Sequence, residues 1–244
     1  MRQTTSPWGQ ISAAAVHLYT ASGVVLAFLI VLAAFQGNTA QALWLGLIAL
    51  VIDSTDGTLA RRFRVSETLP WFDGRRLDDI VDYLTYVFAP VLLLWSGNYL
   101  PAGNTGMVLA ALPLLASSYQ FCRVDAKTDD HFFLGFPSYW NVVAFYTIVM
   151  DLSPVTVSVI FVVCSLLVFV PIQYVYPSRT VAFRPLTLAL TGLWLICYAL
   201  ILPQLPTPNG LLSNFSLLYL IYYLGLSLYL TFKLRTPKHT QQAL

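Results

Sequence analysis

The feature that most constrains this chain is a succession of about eight apolar stretches, most of them near the roughly 20 residues that cross about 30 Å of hydrocarbon. They are expected near 12–35, 39–60, 77–97, 104–124, 138–152, 155–177, 184–202 and 211–233, the fifth being the shortest. Turn-rich connectors separate them, among them Gly37-Asn38-Thr39, Gly97-Asn98, Ser153-Pro154 and the Pro203 to Gly210 segment. Composition excludes a water-soluble globule: 57% of the 244 residues are hydrophobic, with only 13 Lys+Arg and 11 Asp+Glu, far below the roughly one quarter charged in soluble domains. The expected fold class is all-α, a polytopic helical membrane bundle. Residues 1–11 form an interfacial N-terminal segment anchored by Trp8, residues 12–234 a single transmembrane domain and residues 235–244 a tail.

The basic residues test the span count, because cytoplasmic loops collect Lys and Arg. Arg2 precedes span 1; Arg61, Arg62, Arg64, Arg75 and Arg76 lie between spans 2 and 3; Arg123 and Lys127 between 4 and 5; Arg179 and Arg184 between 6 and 7; Lys233, Arg235 and Lys238 follow span 8. An even number of spans with both termini cytoplasmic puts all 13 on one side. That side would face anionic headgroups, and nucleic acid is a poor partner because the charge is spread over five short segments. A cleaved signal peptide over 12–35 fits less well, since the stretch is long for one and only Arg2 precedes it. Cys122, Cys164 and Cys197 have neither metal-ligand nor redox spacing and read as packing residues.

Against this apolar background the aspartates stand out, because a carboxylate inside a membrane helix is costly and points to function. Span 2 carries Asp53 and Asp56, three apart; span 3 carries Asp78 and Asp82, four apart, so each pair shares a helix face. Two adjacent antiparallel helices can bring all four to one point near the cytoplasmic surface. Such carboxylates repel unless a cation neutralises them, and their hard oxygens suit Mg²⁺, Mn²⁺ or Ca²⁺ rather than zinc. Gly57 and Ala60 leave room for a ligand against the helix, and Arg61 offers a fork for phosphate oxygens. Metal, small residues and guanidinium together describe a nucleotide-diphosphate site. Ion pairing with the neighbouring arginines is the simpler alternative, but it requires neither the shared faces nor the small residues; it is preferred only for Asp73 and Asp79.

The pattern Asp-x-x-Asp-Gly-x-x-Ala-Arg followed by Gly-x-x-x-Asp-x-x-x-Asp resembles the signature of the CDP-alcohol phosphotransferase family at every fixed position: Asp53, Asp56, Gly57, Ala60, Arg61, Gly74, Asp78 and Asp82. The gap from Arg61 to Gly74 holds 12 residues where most of the family has about eight. A gap of this length, the chain length and the segment Gly135-Phe136-Pro137-Ser138-Tyr139-Trp140-Asn141 are similar to the bacterial phosphatidylcholine synthase branch.

That resemblance implies transfer of the phosphatidyl group of CDP-diacylglycerol to choline with release of CMP, dependent on Mn²⁺ or Mg²⁺. It implies metal ligation by Asp53, Asp56, Asp78 and Asp82, with Asp82 also the general base. Gly57, Ala60, Arg61 and Gly74 would line the nucleotide side, together with Thr20 from a His17-Leu18-Tyr19-Thr20 element that replaces the family's Asn with His17. Gln120 and Arg123 are further phosphate candidates, with a snorkelling arginine as the alternative. Choline's quaternary ammonium cannot donate hydrogen bonds, so aromatic faces should hold it. Phe132, Phe133, Phe136, Tyr139, Trp140 and Tyr146 crowd one segment, of which Tyr139 and Trp140 are the chosen candidates, with Glu67 a weaker one; an interfacial aromatic belt is the competing reading. The resemblance further implies a homodimer in the bacterial inner membrane with its site facing the cytoplasm. Two rivals are a family member using serine, inositol phosphate, glycerol phosphate or a phospholipid as acceptor, and a secondary transporter. The transporter is disfavoured because the acids lie near one surface and no second copy of the motif exists.

Overall fold

The computed structural model describes residues 7–235, with side chains to 233. Arg2, Lys238 and most of the expected 1–11 and 235–244 segments lie outside the described residues. Helix α1 runs over Pro7–Phe35 and α2 over Thr39–Arg62. The tight connector between them works because Gly37 takes a φ of +71° and the Asn38 side chain accepts from Gln41 N at 3.1 Å, capping α2. After a single helical turn, α3 (Val65–Thr68), come α4 (Gly74–Asp82), a π-helical segment at Tyr83–Phe88 and α5 (Ala89–Ser96). These three form one rod that matches the expected third span. Asp73 caps its start, accepting from the amides of Arg75 and Arg76 at 3.1 Å.

Next are α6 (Asn104–Cys122), α7 (Trp140–Val149), α8 (Pro154–Leu167), α9 (Arg184–Ile201) and α10 (Gly210–Arg235). Among the described residues five helices are long and apolar enough to cross a membrane: α1, α2, α6, α9 with its short 3₁₀ extension, and α10. Large apolar side chains such as Leu18, Leu115, Val155 and Leu211 point outward. In water such a surface would be an aggregation hazard; in a bilayer it is the lipid-facing side.

Three expectations change. First, α1 begins at Pro7 without a break, so the described part of the 1–11 segment is the first turn of the span and not a separate element. Second, the fifth span shrinks to the ten residues of α7, largely buried in the core. Third, the sixth does not run to residue 177: α8 stops at Leu167, because Pro171 lacks an N–H for a helix to use and the chain goes on as a strand. That strand, β2 (Gln173–Val175), pairs antiparallel with β1 (Phe132–Leu134), setting Phe133 opposite Tyr174.

This ribbon was not foreseen, and its hydrogen bonds explain why it is tolerated. Gly135, at φ +84°, lies so close to Val168 O that a Cβ would overlap it; its amide donates to Ile172 O at 2.9 Å, and Phe136 N donates to Leu167 O at 3.0 Å. Helix α10 serves the amides of β2 with hydroxyls: Thr231 Oγ1 accepts from Gln173 N at 2.9 Å and Ser227 Oγ from Val175 N at 3.1 Å. Because β1 precedes α7 and β2 follows α8, their pairing makes α7–α8 a hairpin that enters and leaves at one end of the bundle.

Candidate active site

Close packing of α1 on α4 positions the site. A Cβ on Gly23 would collide with the Val81 side chain, and one on Gly74 would lie 2.8 Å from His17 Cε1. Both glycines therefore serve approach distance rather than backbone freedom. On that platform, oxygen atoms of Asp53 from α2 and of Asp78 and Asp82 from α4 lie within 4.8 Å of one another. Asp56 is not part of this triad; its Oδ2 accepts a 2.8 Å hydrogen bond from buried Thr20 Oγ1, and it remains within electrostatic reach of Asp53 and Asp78. Thr20 thus comes to the site as a support of Asp56.

The face that carries Asp78 and Asp82 continues one turn further to Tyr86 in the π-helical segment, whose hydroxyl donates to Asp53 Oδ2 at 2.5 Å. Tyr86 was missed in the sequence, although the repeated four-residue step 78, 82, 86 was available to find it. Lys127 was read only as a loop charge. Its ammonium lies 3.7 Å from Asp79 Oδ1; burial opposes its charge, but the carboxylates of Asp78 and Asp79 hold its pKa above the ordinary lysine value. No local pattern announces it, since 47 residues of chain separate it from Asp79.

The other expected residues divide. Arg61 is exposed, and its Nη2 donates to Thr58 Oγ1 at 3.0 Å; a Cβ on Gly57 would lie 3.3 Å from Arg61 Nη1, so that side of α2 is open to a ligand only while residue 57 stays small. Ala60 instead packs beside Ala13, Val16, Val65 and Leu69, where the long loop folds back on α1 through α3. Between the loop and α1 is a cleft of about 540 Å³ lined in part by Ala14, His17, Trp71 and Phe72. The His17 ring lies tilted against Phe72 with centroids 4.3 Å apart, and its Nε2 is buried with no hydrogen-bond partner. Glu67 is exposed on α3.

Gln120 and Arg123 are not presented as free phosphate ligands. Gln120 Nε2 donates to Leu134 O at 3.0 Å, and Arg123, bridged to Asp125 at 2.7 Å, reaches the same carbonyl at 3.5 Å. Both brace β1. The Arg123 guanidinium holds the Asp125 carboxyl below the usual aspartate value. Trp140 is 1% exposed, donates from Nε1 to Ser117 Oγ at 2.8 Å and packs on Phe136 and Phe161, because helix α7 turns it into the core. Phe132 and Tyr146 are buried too. Tyr139 keeps part of its surface and stands 6.0 Å from Tyr86, ring to ring.

Fold and site together define a polytopic membrane protein with a carboxylate centre built by two neighbouring helices. A sequence profile described as CDP-alcohol phosphatidyltransferase matches residues 16–228, and the chain belongs to that family. Its relatives include a phosphatidylcholine synthase from Pseudomonas aeruginosa, 41% identical over 92% of this chain and 94% of that one. Others of the same name come from Borreliella burgdorferi, 36% identical over 90% and 94%, and from Legionella pneumophila, 39% over 89% and 88%. The chain is a membrane phosphatidyltransferase of phospholipid biosynthesis.

Proposed function

We propose that this protein makes phosphatidylcholine, transferring the phosphatidyl group of CDP-diacylglycerol to choline and releasing CMP. The observation that carries the chemistry is the triad of Asp53, Asp78 and Asp82 oxygens within 4.8 Å. An all-oxygen set of converging carboxylates, with its nearest lysine already paired to Asp79, fits a hard divalent ion such as Mn²⁺ or Mg²⁺. When bound, that ion offsets negative charge on the pyrophosphate and on the departing CMP.

Asp53, Asp78 and Asp82 would hold the metal with Asp56 beside them as a fourth carboxylate, Tyr86 fixing Asp53 and Thr20 fixing Asp56, while Arg61 would meet the pyrophosphate from the open side of α2. Asp82 accepts the proton of the choline hydroxyl as its oxygen bonds to the phosphatidyl phosphorus and the P–O bond to CMP breaks. The acyl chains remain in the bilayer and enter by a lateral opening. The protein works in the bacterial inner membrane with its site toward the cytoplasm, as a homodimer.

The test is CMP release by purified protein with CDP-diacylglycerol and Mn²⁺, comparing choline with serine, inositol phosphate, glycerol 3-phosphate and no acceptor. Release should require choline, stop with a chelator and return with Mn²⁺ or Mg²⁺. Asp82→Asn should fold and lose activity by a factor of about 100 or more; a variant retaining most of its turnover would end the base assignment.

A further inference from the structure

The ribbon that sequence did not foresee has a chemical consequence. Phe132, Tyr174 and Val175 are buried beside Tyr223 and Leu230, whereas Phe133, Tyr139 and Tyr176 keep part of their surface accessible. Phe133 and Tyr176 form a diagonal pair on one ribbon face, with ring centroids 4.6 Å apart. Phe133 is edge-on to Tyr139 at 6.3 Å, and Tyr139 stands 6.0 Å from Tyr86, whose hydroxyl is bonded to Asp53. The rings therefore form an unbroken row that ends on the carboxylate centre. Asp53 lies within electrostatic reach of Tyr139 and Tyr176, and Asp78 of Tyr176.

Of the cations beside this row, Lys127 pairs with Asp79 and Arg123 with Asp125, while Lys127 and Arg179 both lie within electrostatic reach of Tyr176. A phosphorylated or carboxylated acceptor would call on a cation, and Lys127 and Arg123 are already paired, whereas a fully alkylated ammonium needs none. Such a group is held by ring faces, whose negative quadrupole attracts a cation that cannot donate a hydrogen bond.

We infer that Phe133, Tyr139 and Tyr176, backed by Tyr86, are the acceptor subsite, where aromatic faces take the trimethylammonium group of choline and leave its hydroxyl toward Asp82. This rests on choline being the acceptor, as proposed above. Specificity then depends on the β1–β2 ribbon, which supplies Phe133 and leads directly into Tyr176, while the metal centre is left to α2 and α4.

The experiment measures kcat and KM for choline and for CDP-diacylglycerol in the purified, Mn²⁺-loaded protein. Phe133→Leu and Tyr176→Leu should each raise the KM for choline about tenfold or more and shift that for CDP-diacylglycerol less than about twofold. In the unaltered protein, 3,3-dimethylbutan-1-ol, choline's neutral isostere, should be a poorer acceptor by a similar factor, and the leucine variants should narrow that gap. Where a leucine variant does not fold, fluorinated phenylalanines at 133 keep the ring's shape while draining its quadrupole, and log kcat/KM for choline should fall with each added fluorine. Choline KM unchanged in folded leucine variants, or indifference to fluorination, overturns the subsite and leaves choline as the acceptor. Absence of CMP release with choline in the unaltered protein removes both.

Discussion

At the scale of single residues, the site is held by neighbours that never need to touch substrate. Thr20 donates to Asp56 at 2.8 Å and Tyr86 to Asp53 at 2.5 Å. Groups that orient a ligating carboxylate typically carry about 10- to 100-fold in metal affinity or activity. Thr20→Val and Tyr86→Phe should therefore raise the Mn²⁺ concentration for half-maximal CMP release by about that range, while melting temperature moves little. Equal metal titrations for variant and unaltered protein would reduce both residues to packing. Gly74 tests a different kind of constraint, since its Cβ would lie 2.8 Å from His17 Cε1. Gly74→Ala should cost about 1–3 kcal/mol of stability through overpacking, and His17→Ala in the same chain should recover most of it; thermal unfolding in detergent reads both. The signature aspartates were legible because four carboxylates on two apolar helices violate composition so strongly. The Gly74–His17 contact was not, because no periodicity within one helix reports how closely another approaches.

Elements explain which sequence expectations failed. The length of the apolar stretches located α1, α2, α6, α9 and α10, whose length and apolarity suffice by themselves. It overextended the sixth span, because the apolar run through Val168, Phe169 and Val170 continues past the end of α8 at Leu167. A three-residue strand has too short a pattern to compete with that run. Only the structure shows that the hydroxyls of Ser227 and Thr231 on α10 receive the amides of β2. Ser227→Val and Thr231→Val each leave a strand N–H without its partner, at a cost of about 1–3 kcal/mol. The melting temperature should fall in each, and the KM for choline should rise more than that for CDP-diacylglycerol, since β2 leads directly into Tyr176. Gln120→Leu separates bracing from phosphate binding in the same assay. Loss of its bond to Leu134 O should lower stability and raise the KM for choline, whereas a selective rise in the KM for CDP-diacylglycerol would restore Gln120 to the phosphate.

For the whole molecule the question is which end faces which compartment, and the two short helices decide whether the charge pattern survives. Helix α7 has ten residues and α8 fourteen, spanning about 15 and 21 Å at 1.5 Å per residue, less than the roughly 30 Å of the hydrocarbon core. The hairpin tip at Asp151 nevertheless lies within electrostatic reach of Tyr99, in the connector between α5 and α6. Tip and connector therefore share the end opposite the ribbon. At that same end the α9 residue Tyr198 donates to Leu43 O near the start of α2, at 3.4 Å. All the basic residues of the described connectors then remain on the ribbon's side, the side that the positive-inside rule predicts to be cytoplasmic. In cells carrying the protein with its cysteines at 122, 164 and 197 replaced by serine, new cysteines at Asn98, Asp151 and Thr207 should react with an impermeant maleimide in intact spheroplasts. Cysteines at Ser66 and Asp129 should react only after permeabilisation. Labelling of Asp129→Cys from outside would invert the molecule and put the aspartates on the wrong face for a nucleotide made in the cytoplasm. Protection of Asp151→Cys under both conditions, with the other sites unchanged, would instead make α7–α8 a re-entrant hairpin and leave the orientation of the site intact.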